Sequence, residues 1–180
     1  MLTQFPPRIG RLLWALRLLV TVLIPALPLL VAVWAWQGAT SPEWMGGAWP
    51  MLPAGTALTG TKSTIVLALG ALSLGPMIWV LWQMRGLFGL YAAGAALSDA
   101  AAAHIRRAGA GLAALALVQA LLMPLQTLAL TWDNGPGERS IALAITSEML
   151  WLALSGGLLV VIGWAMSEAA RQAEENRGFV

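Results

Sequence analysis

The sequence predicts an all-α fold, a polytopic membrane protein with four transmembrane helices in an up-down bundle. Three observations carry this: a composition 59% hydrophobic and only 10% charged, four uncharged stretches of bilayer length, and a lopsided distribution of arginine among the connecting segments. A soluble domain carries about a quarter charged residues, so this chain has too little polar surface to face water all round. A hydrocarbon core of about 30 Å takes roughly 20 apolar residues to cross as a helix. The core offers backbone groups no water, and a lone segment satisfies its own N–H and C=O groups by being helical. The whole chain, residues 1–180, reads as one such domain.

The first span is expected at residues 18–36, Leu18 to Trp36, after Arg8, Arg11 and Arg17. It resembles a signal peptide in its flanks, but the apolar run is too long and ends on Trp34 and Trp36 without an A-x-A site, so it reads as a retained span. Pro25 and Pro28 inside it predict a kink or loosened hydrogen bonding that neighbouring helices make good. The outer connection from Gln37 to Lys62 holds "SPEWMGGAWPMLPAG", a loop expected to lie on the headgroups or to fold over the bundle mouth, with a ligand lid as its sharper use. The second span is expected as one helix at 65–84, Ile65 to Met84.

The inner connection, Leu90 to Leu112, turns near Gly94 and restarts at Ser98, whose hydroxyl suits an N-cap for a helix beginning at Asp99. The third span, 109–132, follows Arg106 and Arg107. The second outer connection, "WDNGPGERS" from Trp132 to Ser140, is breaker chemistry and reads as a compact turn. The fourth span, 149–167, runs from about Met149 to Ser167 and continues into a polar tail in which Arg171 is placed to meet Glu168, Glu174 or Glu175 at helical spacing.

Orientation follows from the connections. Arg8, Arg11, Arg17, Arg85, Arg106, Arg107, Arg171 and Arg177 fall at one end and only Lys62 and Arg139 at the other, so both termini and the middle connection are expected in the cytoplasm. Trp34, Trp36, Trp132 and Trp151 then lie near the outer interface, and Trp14, Trp82 and Trp164 near the inner one, the depth that amphipathic rings prefer. The arginines are spread rather than gathered, which argues for membrane orientation and against direct nucleic-acid binding.

No enzyme constellation emerges. There is no cysteine, which removes thiolate chemistry and disulfides. In "SDAAAAHIRR", Asp99 and His104 are five apart and do not converge on a helix, so Ser98 reads as a cap rather than a nucleophile. No metal-ligand cluster, P-loop or dinucleotide fingerprint is present, and no cofactor is expected. The intramembrane polar residues are Gln119 and Gln126, seven apart on one face of the third span, and Glu148 near the outer end of the fourth. The two glutamines suit a hydrogen-bonding strip joining helices, and a solute pathway is their sharper use. Ala153, Gly156, Gly157 and Gly163 make a thin side on the fourth span, and Gly70, Ser73 and Gly75 cluster on the second; both suit close packing within the chain or in a homo-oligomer.

Two further stretches carry a family resemblance. Ser98 to Gly109 reads S-x-x-x-A-x-x-I-R-R-A-G, and the chain ends with Glu174-Glu175-Asn176 and then Phe179-Val180. Together with span count and spacing, this resembles the bacterial four-helix membrane family of unknown function numbered 2975, although alanines stand here where larger polar residues are common in it. Members are frequently encoded beside a small Xre-like helix-turn-helix protein. The resemblance therefore implies a non-enzymatic protein of the bacterial inner membrane that docks such a cytoplasmic DNA-binding regulator, with Arg106, Arg107, Glu174, Glu175, Asn176 and Phe179 as its contact surface. The alternatives are a carrier for small solutes or lipids, built on Gln119, Gln126 and the tryptophan-rich loop, and an accessory subunit of a larger membrane complex. Membrane lipids are partners in every case.

Overall fold

The computed structural model describes residues 7–49, 52–53, 55–135 and 137–177, and within these the side chains of residues 9–172. The described residues are helical and include no strand: α1 (Pro7–Thr40), α2 (Trp44–Ala48), α3 (Gly60–Ala71), α4 (Leu74–Ala92), α5 (Asp99–Thr131) and α6 (Ser147–Arg177). Four units are long and apolar enough to cross a membrane: α1, α3 with α4, α5, and α6. Along α1, Trp14 and Trp34 are separated by about 30 Å of helix at 1.5 Å per residue, the thickness of the hydrocarbon core. Both rings are exposed, as are Trp36, Trp82, Trp132, Trp151 and Trp164.

The second span runs from Gly60 to Ala92, as expected of one spanning segment. Its regular hydrogen bonding is interrupted at Leu72 and Ser73, between α3 and α4, where both residues keep helical dihedrals (φ/ψ −61°/−27° and −65°/−20°). Pro76 has no N–H to return to the Leu72 carbonyl and its ring crowds that turn. The chain tightens instead into bonds three residues apart: Leu72 N–H to Leu69 O (3.1 Å), Ser73 N–H to Gly70 O (3.0 Å) and Gly75 N–H to Leu72 O (3.3 Å). The helices at either end run further than the hydropathy stretches, α1 to Thr40 and α6 to Arg177. Ser98 caps α5 as expected, its Oγ accepting from Ala101 N–H at 3.2 Å, and the preceding turn passes through Gly94 at φ +77°.

Neighbours in the chain are neighbours in space. α1 lies against α3 and α4, these against α5, and α5 against α6. Without a hydrophobic drive between helices in lipid, close approach decides the packing, and glycine sets it. A Cβ on Gly109 would stand 2.5 Å from Gly156 O, and one on Gly163 would stand 2.8 Å from Ala102 O, so α5 and α6 touch backbone to backbone. Gly111 makes room for Val80 and Gly86 for the His104 ring, which join α4 to α5. The thin side expected on the fourth span therefore resolves into two faces. Gly156 and Gly163 are buried against α5, whereas Ala153 and Gly157 are exposed, and nothing lies within 4 Å of a Cβ on Gly157.

This predicts a sharp contrast between adjacent glycines. Gly156→Val should destabilise the protein by about 3 kcal/mol, the upper end for overpacking, because the obstructing atoms are backbone. Gly157→Val should stay within about 0.5 kcal/mol, the usual range for a surface change. Thermal unfolding of the two variants in detergent measures the difference.

Candidate functional site

A groove lies between α1 and the second span, beside the tightened turn at Leu72 and Ser73. Leu27, Leu30, Val31 and Trp34 of α1 form one wall, and Val66, Gly70, Ser73, Leu74 and Met77 of the second span form the other. Gln126 of α5 closes the back, Trp44 and Trp49 form the roof, and the enclosed volume is about 430 Å³. Pro25 precedes this wall of α1 by two residues, and Pro28 lies within it. The lining is almost wholly apolar. Its polar groups are the Gln126 carboxamide and the Ser73 hydroxyl.

Gln126 Nε2 donates to the Val66 carbonyl at 3.2 Å, which pins α5 to α3 and fixes the carboxamide at the groove. Gly70 faces it: a Cβ there would lie 3.5 Å from Gln126 Nε2. Ser73, at the tightened turn, makes no cap hydrogen bond to α4. Its backbone stays helical, at φ −65° and ψ −20°, and the residue lines the groove.

The roof is the outer loop, folded over the bundle mouth with α2 as a single turn not foreseen from the sequence. Met45 is wholly buried beneath it against Val66 and Leu130, and Trp44, Trp49, Leu52 and Leu58 pack around them. Trp44 and Trp49 are tilted at 59° with ring centroids 5.7 Å apart. A relay locks Trp44 in place: its indole N–H donates to Ser63 Oγ (2.9 Å), and that hydroxyl donates to Gly38 O (2.7 Å). Gly38 is required there, since a Cβ would fall 2.8 Å from the Trp44 indole nitrogen.

The second outer connection holds this roof down. Lys62, buried at the start of α3, donates to Ala57 O (2.8 Å) and pairs with Asp133. Asn134 Nδ2 donates to Thr56 Oγ1 at 3.0 Å. The chain beyond is tied back to α5, where Thr131 Oγ1 accepts from Ser140 N–H while donating to Thr127 O, and Thr127 Oγ1 accepts from Ala142 N–H. The hydrogen bond from Lys62 holds the Asp133 carboxyl below the ordinary aspartate range.

The sequence-designated residues are dispersed. Gln126 lines the groove; Gln119, half-buried on the same helix, makes no hydrogen bond among the described residues and does not line it. The expected strip therefore reduces to one working glutamine. Glu148 is exposed in the first turn of α6, where a carboxylate suits the positive helix end. Arg106 is turned inward, its Nη1 donating to Ser167 Oγ at 2.7 Å and tying α5 to α6. Arg107 is exposed. Glu174, Glu175 and Asn176 stand on the last turns of α6 with side chains outside the described residues, and Phe179 lies outside them altogether.

Two buried polar features escaped the sequence reading. Gln83, buried on α4, is hydrogen-bonded through Oε1 to His104 Nδ1 at 2.8 Å. Lys62 is a buried latch rather than a loop cation. The signal for Gln83 was available, since a carboxamide inside an apolar span demands a partner. Among the described residues no group of His, Asp and Glu has metal-ligand geometry. No protein-family model, curated protein or solved structure matches this chain.

Asp133→Asn should loosen the roof, seen as severalfold faster protease cleavage between Trp49 and Thr59 in the solubilised protein. The pH dependence has a fixed sign. A carboxyl whose folded value lies below its unfolded one contributes above the unfolded value, near pH 4, and loses that contribution as pH falls through the lower folded value. Wild-type cleavage should therefore approach that of the variant only below about pH 4, and the variant's own rate should lack this step.

Proposed function

We propose that this is a non-enzymatic integral membrane protein whose groove binds an apolar, single-chain amphiphile drawn from the bilayer, a lipid-handling or lipid-sensing role. The observation that carries the reading is the apolar groove between α1 and the second span, with Gln126 at its back and the pinned Trp44 and Trp49 at its outer end. The volume lies within the range of about 300–1,000 Å³ typical of ligand sites, which are mostly apolar with a few placed polar groups. Ser73 and Gln126 supply one hydroxyl and one carboxamide, enough to orient one polar function on an otherwise apolar chain. No charged residue lines the groove, which disfavours an ionic or strongly hydrated solute.

A second reading places function at the arginine-rich end, taken as cytoplasmic by the positive-inside rule for a bacterial inner-membrane protein. There α6 continues as helix to Arg177, with Arg171 paired to Glu168. Such a projecting helix suits the docking of a small helix-turn-helix regulator, with Arg107 and the residues from Glu174 onward as contacts. Arg106 is withdrawn from that surface by Ser167. The two readings are compatible in a sensor that reports groove occupancy to a bound partner.

A photoreactive fatty acid should label residues of the groove wall, Met77 or Trp34, in the purified protein. Gly70→Leu, which fills the space before Gln126, should cut labelling about tenfold, the equivalent of some 1.4 kcal/mol. Equal labelling of both proteins would end the groove reading. Removing residues 174–180 should abolish recovery of a helix-turn-helix protein without changing labelling, and unchanged recovery would remove the second reading alone.

A further inference from the structure

At the arginine-rich end, α1 and α4 meet through two successive rungs. Arg85 Nε donates to Thr21 Oγ1 at 3.1 Å, and that hydroxyl donates to Arg17 O at 2.7 Å. One turn further along α4, Gly89 faces the Arg17 guanidinium: a Cβ on it would stand 3.7 Å from Arg17 Cζ. Arg17 and Thr21 are one turn apart on α1, as Arg85 and Gly89 are on α4, so the two guanidiniums lie on one seam about 6 Å apart along the helix axes.

Three features make this more than two cations at a membrane edge. Arg85 is oriented twice, by Thr21 and by the Trp82 ring, whose centroid is 5.7 Å from Arg85 Cζ. A Cβ on Gly89 of α4 would lie at van der Waals distance from the Arg17 guanidinium, which places that fork against the α4 side of the seam. Neither guanidinium meets a carboxylate among the described residues, where the ion pairs are Lys62–Asp133 and Arg171–Glu168. Cationic forks held one turn apart between two helices match the several oxygens of a phosphate, which arginine engages in bidentate fashion. The exposed Trp82 ring marks headgroup depth.

We infer that Arg17 and Arg85 form a phosphate site at the α1–α4 seam, and that its occupant is the headgroup of an anionic phospholipid. The geometry selects a lipid over a soluble anion because the site opens sideways on transmembrane helices, beside apolar side chains exposed on α1, Leu18 and Val22. It selects an anionic lipid over a zwitterionic one because a choline would bring a cation to two uncompensated cations. Basic pockets between transmembrane helices hold anionic headgroups in this way. The site is separate from the groove and stands or falls without it.

Native mass spectrometry of the full-length protein in detergent tests the site with phosphatidylglycerol and phosphatidylcholine of identical acyl chains, and with inorganic phosphate. Phosphatidylglycerol should bind roughly tenfold or more tightly than phosphatidylcholine, as two basic residues near an anionic headgroup imply. Arg17→Gln with Arg85→Gln should bring the two lipids within about twofold of each other, while Arg107→Gln, an exposed arginine at the same end, should leave the preference intact. Arg17→Lys with Arg85→Lys, which keeps charge without the fork, should retain an intermediate preference and serves if the glutamine pair does not fold. Equal binding of the two lipids by the wild type, or equal loss in Arg107→Gln, would overturn the inference. Displacement of the lipid by an equal concentration of inorganic phosphate would overturn the lipid assignment and transfer the site to a soluble anion.

Discussion

A helix that crosses a membrane must close every one of its own hydrogen bonds, and Pro76 forbids this in the middle of the second span. Much of the functional architecture is arranged around that missing donor. The Leu72 carbonyl turns to Gly75 and the backbone tightens for one turn before α4 begins at Leu74. A groove lies beside this turn, against α1. Gln126 braces one side through the Val66 carbonyl, and the outer loop brings Trp44 and Trp49 across the top. The tightened turn, the brace and the roof meet at one place.

Small residues decide which helices meet. A gap of about 0.5–1 Å already forfeits a quarter to a half of a dispersion contact, so the seam where two backbones touch gains most from close approach. Gly109 with Gly156, and Gly163 with Ala102, bring α5 and α6 closest. Polar bonds then fix depth and rotation rather than supplying much net stability: Arg106 to Ser167, His104 to Gln83, and Gln126 to Val66 are each placed one to a seam. Interhelical hydrogen bonds in membrane proteins are worth about 0.6 kcal/mol on average, which suits locating pins better than main supports.

The four spans were readable because bilayer thickness imposes a length on uncharged sequence, and the tryptophans mark both edges. The interruption at Leu72 and Ser73 was harder to read. Pro25 and Pro28 offer the same warning as Pro76, yet α1 runs as one helix through both. What distinguishes the second span is Gly75 immediately before its proline and a neighbouring cavity, and the cavity is a tertiary fact. Gln119 and Gln126 are alike in sequence and periodicity, but only Gln126 stands opposite a carbonyl across the seam. Lys62, in the first turn of α3, and Asp133, in the turn after α5, lie far apart in the chain, and no local pattern pairs them. Ser98, by contrast, needed only its own helix, and its cap is where the sequence places it.

The grip between α5 and α6 also bears on how the protein is made. These helices are consecutive, antiparallel and matched glycine against backbone along much of their length, and α6 has little to hold it in the bundle except α5. Such a pair is suited to leave the translocon as a preassembled hairpin, with Ser140 and Ala142 already fastened to Thr131 and Thr127 at its bend. Biogenesis then reduces to three docking partners: α1, the second span, and a finished pair.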